Sequence, residues 1–172
     1  MVIENPGTFL YGMPDRLHID HHIANLSDRL IRSKKNTRKR QPPPLIPGVK
    51  EMLECLQSDY PMAVVSARGR RSTLAFLEYY QISSFFKAIA TGQTCQHTKP
   101  FPDPILWSAE QMGVLPSACL MIGDTTVDMQ AGKAAGAQTL GVLCGFGEEE
   151  ELIHAGADLI LSNTPDIVQV LL

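Results

Sequence analysis

The chain has 172 residues, 44% of them hydrophobic, with 15 basic and 18 acidic residues and a formal net charge of −3. That length suits one ordinary domain with a buried core, and no apolar run approaches the ~18 residues that cross a bilayer. Met1-Val-Ile-Glu-Asn-Pro6 lacks the basic-then-apolar pattern of a secretory leader, and Cys55, Cys95, Cys119 and Cys144 form no Cys-x-x-Cys pair.

A reducing, cytoplasmic setting is therefore expected, with no disulfide or metal duty for the thiols. Cys119 and Cys144 sit in strand-like runs and read as small buried hydrophobes.

In chain order, Val2 and Ile3 read as a short strand entering the Pro6-Gly7 turn. Ile23, Leu26, Leu30 and Ile31 recur at helical spacing and predict a helix from about His21 to Ser33. Six of the basic residues fall in Arg32-Ser-Lys-Lys-Asn-Thr-Arg-Lys-Arg40. Such a run can contact a polyanion. It lacks interleaved aromatics, which argues against nucleic acid and favours a solvated helix end and loop.

Gln41-Pro-Pro-Pro-Leu-Ile-Pro47 cannot be helical. Residues 9–46 are accordingly expected to form a short helical lid or flap with a Pro-rich connector, inside a single domain spanning 1–172.

Beyond that connector, apolar and amphipathic runs alternate. Strands are expected at Met62–Ser66, Ala88–Thr91, Cys119–Asp124, Gln138–Cys144 and Leu159–Leu161. Helices are expected at Val49–Gln57, Arg71–Tyr80, Pro104–Met112, Val127–Ala135, Glu149–Ala155 and Pro165–Leu171. The acidic run Glu148–Glu151 complements the N-terminal dipole of one of them. This alternation implies an α/β fold, a parallel sheet covered by helices on both faces.

Three strand tips carry chemistry. In Leu120-Met-Ile-Gly-Asp124-Thr-Thr-Val-Asp128, a strand runs into two carboxylates four residues apart, at the sheet edge where open α/β folds bind ligands. Hard oxygens there suit Mg²⁺; Asp124 reads equally well as a helix N-cap. In Met62-Ala-Val-Val-Ser66-Ala67-Arg68, a hydroxyl and backbone N–H groups form a possible phosphate cradle, or Ser66 is a plain N-cap. In Thr98-Lys99-Pro100-Phe-Pro102-Asp103, prolines pin a lysine as a fixed ammonium facing an anion would require; the alternative is an exposed loop lysine.

Ser66, Lys99-Pro100 and Gly123-Asp124 with Asp128 resemble motifs II, III and IV of the haloacid dehalogenase (HAD) superfamily in order and spacing. Lys99-Pro-Phe-Pro-Asp-Pro-Ile-Leu, Gln111-Met-Gly-Val-Leu-Pro and Ala131-Gly-Lys-Ala-Ala-Gly-Ala are similar to its phosphoglycolate phosphatase-like branch. The resemblance covers about Pro47 to Leu171 and implies a Rossmannoid three-layer fold with a reduced cap. It also implies Mg²⁺-dependent phosphomonoester hydrolysis through an aspartyl-phosphate. By that resemblance Ser66, Ala67 and Lys99 bind phosphate, and Asp124 and Asp128 serve the metal. The implied ligand is a small phosphorylated molecule.

The family's opening motif, Asp-x-Asp-Gly-Thr, aligns with Glu4-Asn5-Pro6-Gly7-Thr8. Glu4 then stands at the nucleophile position and Pro6 at the acid/base position, with Glu4 and the Pro6 carbonyl as further metal ligands. A Glu for Asp shifts the carboxylate by more than ~1 Å, which can cost ~100-fold. Loss of a general acid/base costs ~10²–10⁴-fold. The resemblance therefore implies weak or lost turnover, the alternative being a non-catalytic phospho-ligand sensor.

His18-Ile-Asp20-His21-His22 suggests a metal cluster or the Asp-His-His signature of another phosphoesterase family. Adjacent helical histidines point apart, so polar residues opening an amphipathic helix are the favoured reading.

Overall fold

The computed structural model describes residues 42–172. The expected strand at Val2-Ile3, the helix at His21–Ser33, the basic run, the His18–His22 cluster, Glu4 and Pro6 lie outside the described residues.

Helix α1 (Val49–Leu56) buries Val49, Met52, Leu53 and Leu56, the one-face spacing of an amphipathic helix. It leads into β1 (Met62–Val65), α2 (Arg70–Tyr79), β2 (Phe86–Ala90) and α3 (Asp103–Met112). The second half runs β3 (Leu120–Gly123), α4 (Thr126–Ala134), β4 (Gln138–Val142), α5 (Glu149–His154), β5 (Leu159–Leu161) and α6 (Val168–Leu171). All ladders are parallel: β1 pairs with β2, β3 with β4, and β4 with β5. Among the described residues they make a two-stranded and a three-stranded sheet, not one continuous sheet.

Strand alternation sorts side chains into two cores. Val64 joins α1, Phe76, Leu77, Leu140 and Val142 in one cluster. Its neighbour Val65 points the other way, to Ala90, Ile105, Met121 and Ala131. The small residues of α4 let that helix sit close on β3 and β4. A Cβ on Gly132 would lie 2.6 Å from Thr139 Cγ2 and 2.9 Å from Met121 Cβ.

Two expected boundaries shift for packing reasons. β2 begins at Phe86, not Ala88, because buried Phe86 pairs with Met62 across an irregular register. The last expected helix divides into a 3₁₀ turn, Thr164–Ile167, and α6; Asn163 N–H bonds the Asp166 carboxylate there at 3.0 Å. Cys119 and Cys144 are half-buried and flank strands instead of lying within them, so neither is a fully buried core residue.

Candidate active site

Ser66 follows the last residue of β1, and its N–H continues the ladder to the Ala90 carbonyl at 2.9 Å. The Ser66 hydroxyl accepts the Arg68 N–H at 3.2 Å, and the N-cap of α2 is Gly69. Ser66 is therefore not a helix cap; it closes a short turn at the sheet edge, with half-buried Ala67 inside it. The loops after β1 and β2 are laced together: Gly92 N–H donates to the Arg68 carbonyl, and Arg70 N–H donates to Gln93 Oε1 at 2.8 Å.

Lys99 is not an exposed loop lysine. Its side chain is 2% exposed; its ammonium donates to Asp128 Oδ1 at 2.5 Å and reaches the Val65 carbonyl at 3.5 Å. The lysine thus spans from the tip of β1 to the first turn of α4, joining residues 65, 99 and 128 into one cluster. A turn from Phe101 N–H to the Thr98 carbonyl shapes its loop, in which the Lys99–Pro100 peptide is cis. His97 Nδ1 lies 2.9 Å from Asp103 Oδ1, and the His97 ring packs on Phe101 with centroids 4.8 Å apart. This pair braces both ends of the loop.

Asp124 is 4% exposed, and the N-cap of α4 is Thr125, so the carboxylate is not spent on capping. Asp124 Oδ2 accepts the Phe146 N–H at 3.0 Å, and its carbonyl accepts the Gly147 N–H at 2.7 Å. A Cβ on Gly145 would collide with that carboxylate, so the loop after β4 must be glycine there. The sequence pattern by itself assigned Gly145-Phe-Gly147 no role. The available signal was a Gly-x-Gly step just past a strand end.

Asp128 is fully buried and engaged at both oxygens. Oδ1 holds Lys99, while Oδ2 accepts the Thr125 N–H at 3.1 Å and the Thr125 hydroxyl at 2.6 Å. Its geometry orients the lysine and closes the first turn of α4. Gly123 makes this possible, since a Cβ there would overlap the Asp128 side chain.

Among the described residues, no group of three or more His, Cys, Asp or Glu could hold a metal ion. Asp124, a buried carboxylate that accepts the Phe146 N–H, suits a hard cation as one ligand of a set. Both oxygens of Asp128, the other carboxylate expected to serve the metal, already hold hydrogen-bond partners.

The family model for haloacid dehalogenase-like hydrolases matches residues 9–142. The chain belongs to this family. That match starts after Glu4 and Pro6. The chain is 33% identical over 128 residues to the phosphoglycolate phosphatase of Escherichia coli K12, covering 74% of this chain and 51% of that protein. It therefore spans about half the length of the curated relatives it matches. Among solved structures, a predicted phosphoglycolate phosphatase from Haemophilus somnus superposes with a TM-score of 0.69 at 28% identity, covering 74% of this chain and 57% of that one. A HAD family hydrolase from Deinococcus radiodurans, with bound phosphate and sodium, gives 0.66 at 26% identity, covering 73% and 57%. These HAD neighbours share the α/β arrangement of parallel strands and helices described above.

Proposed function

We propose that this HAD-family chain binds small phosphomonoesters of the phosphoglycolate class at the Ser66–Lys99–Asp124 edge, and that it hydrolyses them slowly. The observation that carries this reading is Lys99: an ammonium held 2.5 Å from Asp128 and beside the Val65 carbonyl is fixed in place, not free to wander. A fixed cation beside the Val65 carbonyl, one residue before Ser66, would serve to hold phosphoryl oxygens and to offset charge that grows during transfer.

In the same reading Glu4 occupies the nucleophile position. Pro6 supplies no acid to the leaving oxygen, so turnover favours substrates with activated leaving groups. Asp124, Glu4 and the Pro6 carbonyl would hold Mg²⁺, which when bound supplies charge neutralisation at the phosphoryl group. Residues 9–46, as a small lid, would leave the site more open than a full cap. The ligand is a small phosphorylated molecule rather than nucleic acid.

The test is a Mg²⁺-dependent assay with p-nitrophenyl phosphate and phosphoglycolate, run beside Lys99→Met prepared identically, with phosphate binding measured by calorimetry. Slow turnover that vanishes in Lys99→Met supports the proposal. Phosphate binding without turnover moves the chain to the non-catalytic sensor reading. Neither binding nor turnover would overturn both.

A further inference from the structure

The loop that carries Lys99 leaves β2 after Ala90 and enters α3 at Asp103. Threonines close its first part: Thr94 N–H donates to the Thr91 carbonyl at 2.9 Å, and Thr91 N–H donates to the Thr94 hydroxyl at 2.8 Å. Side chains close its second part. His97 Nδ1 and Asp103 Oδ1, 2.9 Å apart, join the stretches on either side of Lys99. An aspartate opening a helix commonly bonds that helix's own N–H groups. Here α3 has no side-chain cap bond, and the Asp103 carboxylate turns back to the histidine.

We propose that His97 is a positioning residue for phosphate binding: through Asp103 it fixes the backbone of Lys99, and with it the place of the ammonium. Three observations carry the assignment. First, the pair closes residues 97–103 into a ring with Lys99 inside it, and a short closed loop leaves the backbone few other courses. Second, the ring is packed. His97 lies on Phe101 with centroids 4.8 Å apart, and Phe101 N–H donates to the Thr98 carbonyl at 2.9 Å.

Third, Lys99 meets partners on two other elements at once, Asp128 Oδ1 at 2.5 Å and the Val65 carbonyl at 3.5 Å. A flexible four-carbon stem can reach one partner from many backbone positions; reaching both narrows them. The two side chains of the brace are 31% and 32% exposed, where an ion pair adds little to global stability. Its effect therefore falls on the loop.

This inference rests on the reading that Lys99 holds phosphate, so the test separates the two. Inorganic phosphate with Mg²⁺ is titrated by calorimetry into the full chain and into Lys99→Met, His97→Phe and His97→Asn, with Tm measured for each. His97→Phe keeps a ring on Phe101 but has no Nδ1; His97→Asn loses the ring but places an amide N–H where Nδ1 stood. A carboxylate only accepts, so that N–H is what the bond requires.

His97→Phe should weaken phosphate binding about 10-fold, inside the ~10² that a 1 Å misplacement can cost, with Tm nearly unchanged. His97→Asn should bind close to the parent. Asp103→Ala should match His97→Phe, and the double variant should be no weaker than either, because both remove one bond. Exchange of the Phe101 amide should quicken about 10-fold in His97→Phe as the ring opens.

Parent-like binding or parent-like Phe101 exchange in His97→Phe would overturn the proposal. Binding as weak in His97→Asn as in His97→Phe would assign the effect to ring packing and overturn it too, as would a loss of affinity that only tracks a fall in Tm. Full binding by Lys99→Met, or none by the parent, would remove the phosphate reading of Lys99 and this role with it.

Discussion

Lys99 Nζ lies 2.5 Å from Asp128 Oδ1, with the two side chains 2% and 0% exposed. These residues are 29 apart in the chain, and the pair ties the loop after β2 to the start of α4. Removing one partner from a buried pair typically costs about 3–5 kcal/mol, because the other charge stays buried. Asp128→Asn should therefore lower the unfolding free energy by that order, read as a lower urea midpoint. It should also weaken phosphate binding measured by calorimetry, since the ammonium loses its anchor. An unchanged midpoint would mean the pair contributes little.

The Gly145 loop gives a second prediction. Gly145→Ala places a methyl into the Asp124 carboxylate, and overpacking of this kind costs about 1–3 kcal/mol. The variant should unfold at lower urea than the parent. Asp124→Asn keeps the shape and still accepts the Phe146 N–H, so it should lose less stability while losing Mg²⁺-dependent binding.

Restoring the opening motif should raise activity. Glu4→Asp with Pro6→Asp is expected to increase Mg²⁺-dependent turnover of phosphoglycolate by at least 10²-fold, the scale of one restored acid/base group. Turnover of p-nitrophenyl phosphate should rise less, because its leaving group needs less protonation. No gain in a folded variant would remove Glu4 and Pro6 from the proposed site.

Asp158 provides a pH-dependent prediction away from the site. Lys133, then the Thr139 N–H and the Thr139 hydroxyl, hold its carboxyl at about 2, below the ordinary 3.8. A carboxyl lowered on folding stabilises the protein above its unfolded value and loses that contribution as pH falls from about 4 through about 2. Asp158→Asn should thus lower Tm at pH 7 and leave it nearly unchanged at pH 2. Because the pair is exposed, the pH 7 difference should shrink in high salt.

The thiols should separate by reactivity. Burial, and then the nearby Asp103 carboxylate, push the Cys95 thiol up; burial alone raises Cys119. The thiolate is the nucleophile, so iodoacetamide at pH 8 should label exposed Cys55 first, as peptide mapping would show. Asp103→Asn should speed labelling of Cys95.

Local pattern carried most of the architecture. Among the described residues the expected parallel strands and helices appear within about two residues of their places, save the last helix, whose first turn is 3₁₀; a period of 2 or 3.6 is written in consecutive residues, and each element buries the face that the pattern marks. The positions of Ser66 and Asp124 just past strand ends, and of Lys99 in a loop held by Pro100 and Pro102, were legible for the same reason.

The partners of those residues were not. Asp128 reads in sequence as a second metal carboxylate, yet folding gives its oxygens to Lys99 and Thr125. Asp124 reads as a possible cap, yet Thr125 takes that place and a loop 22 residues onward holds the carboxylate. Which donor meets which oxygen depends on how helices settle on the sheet, and small residues such as Gly123, Gly132 and Gly145 decide that by permitting close approach. The order of elements is thus a property of the chain's local chemistry, whereas the wiring of the site exists only once distant segments are packed together.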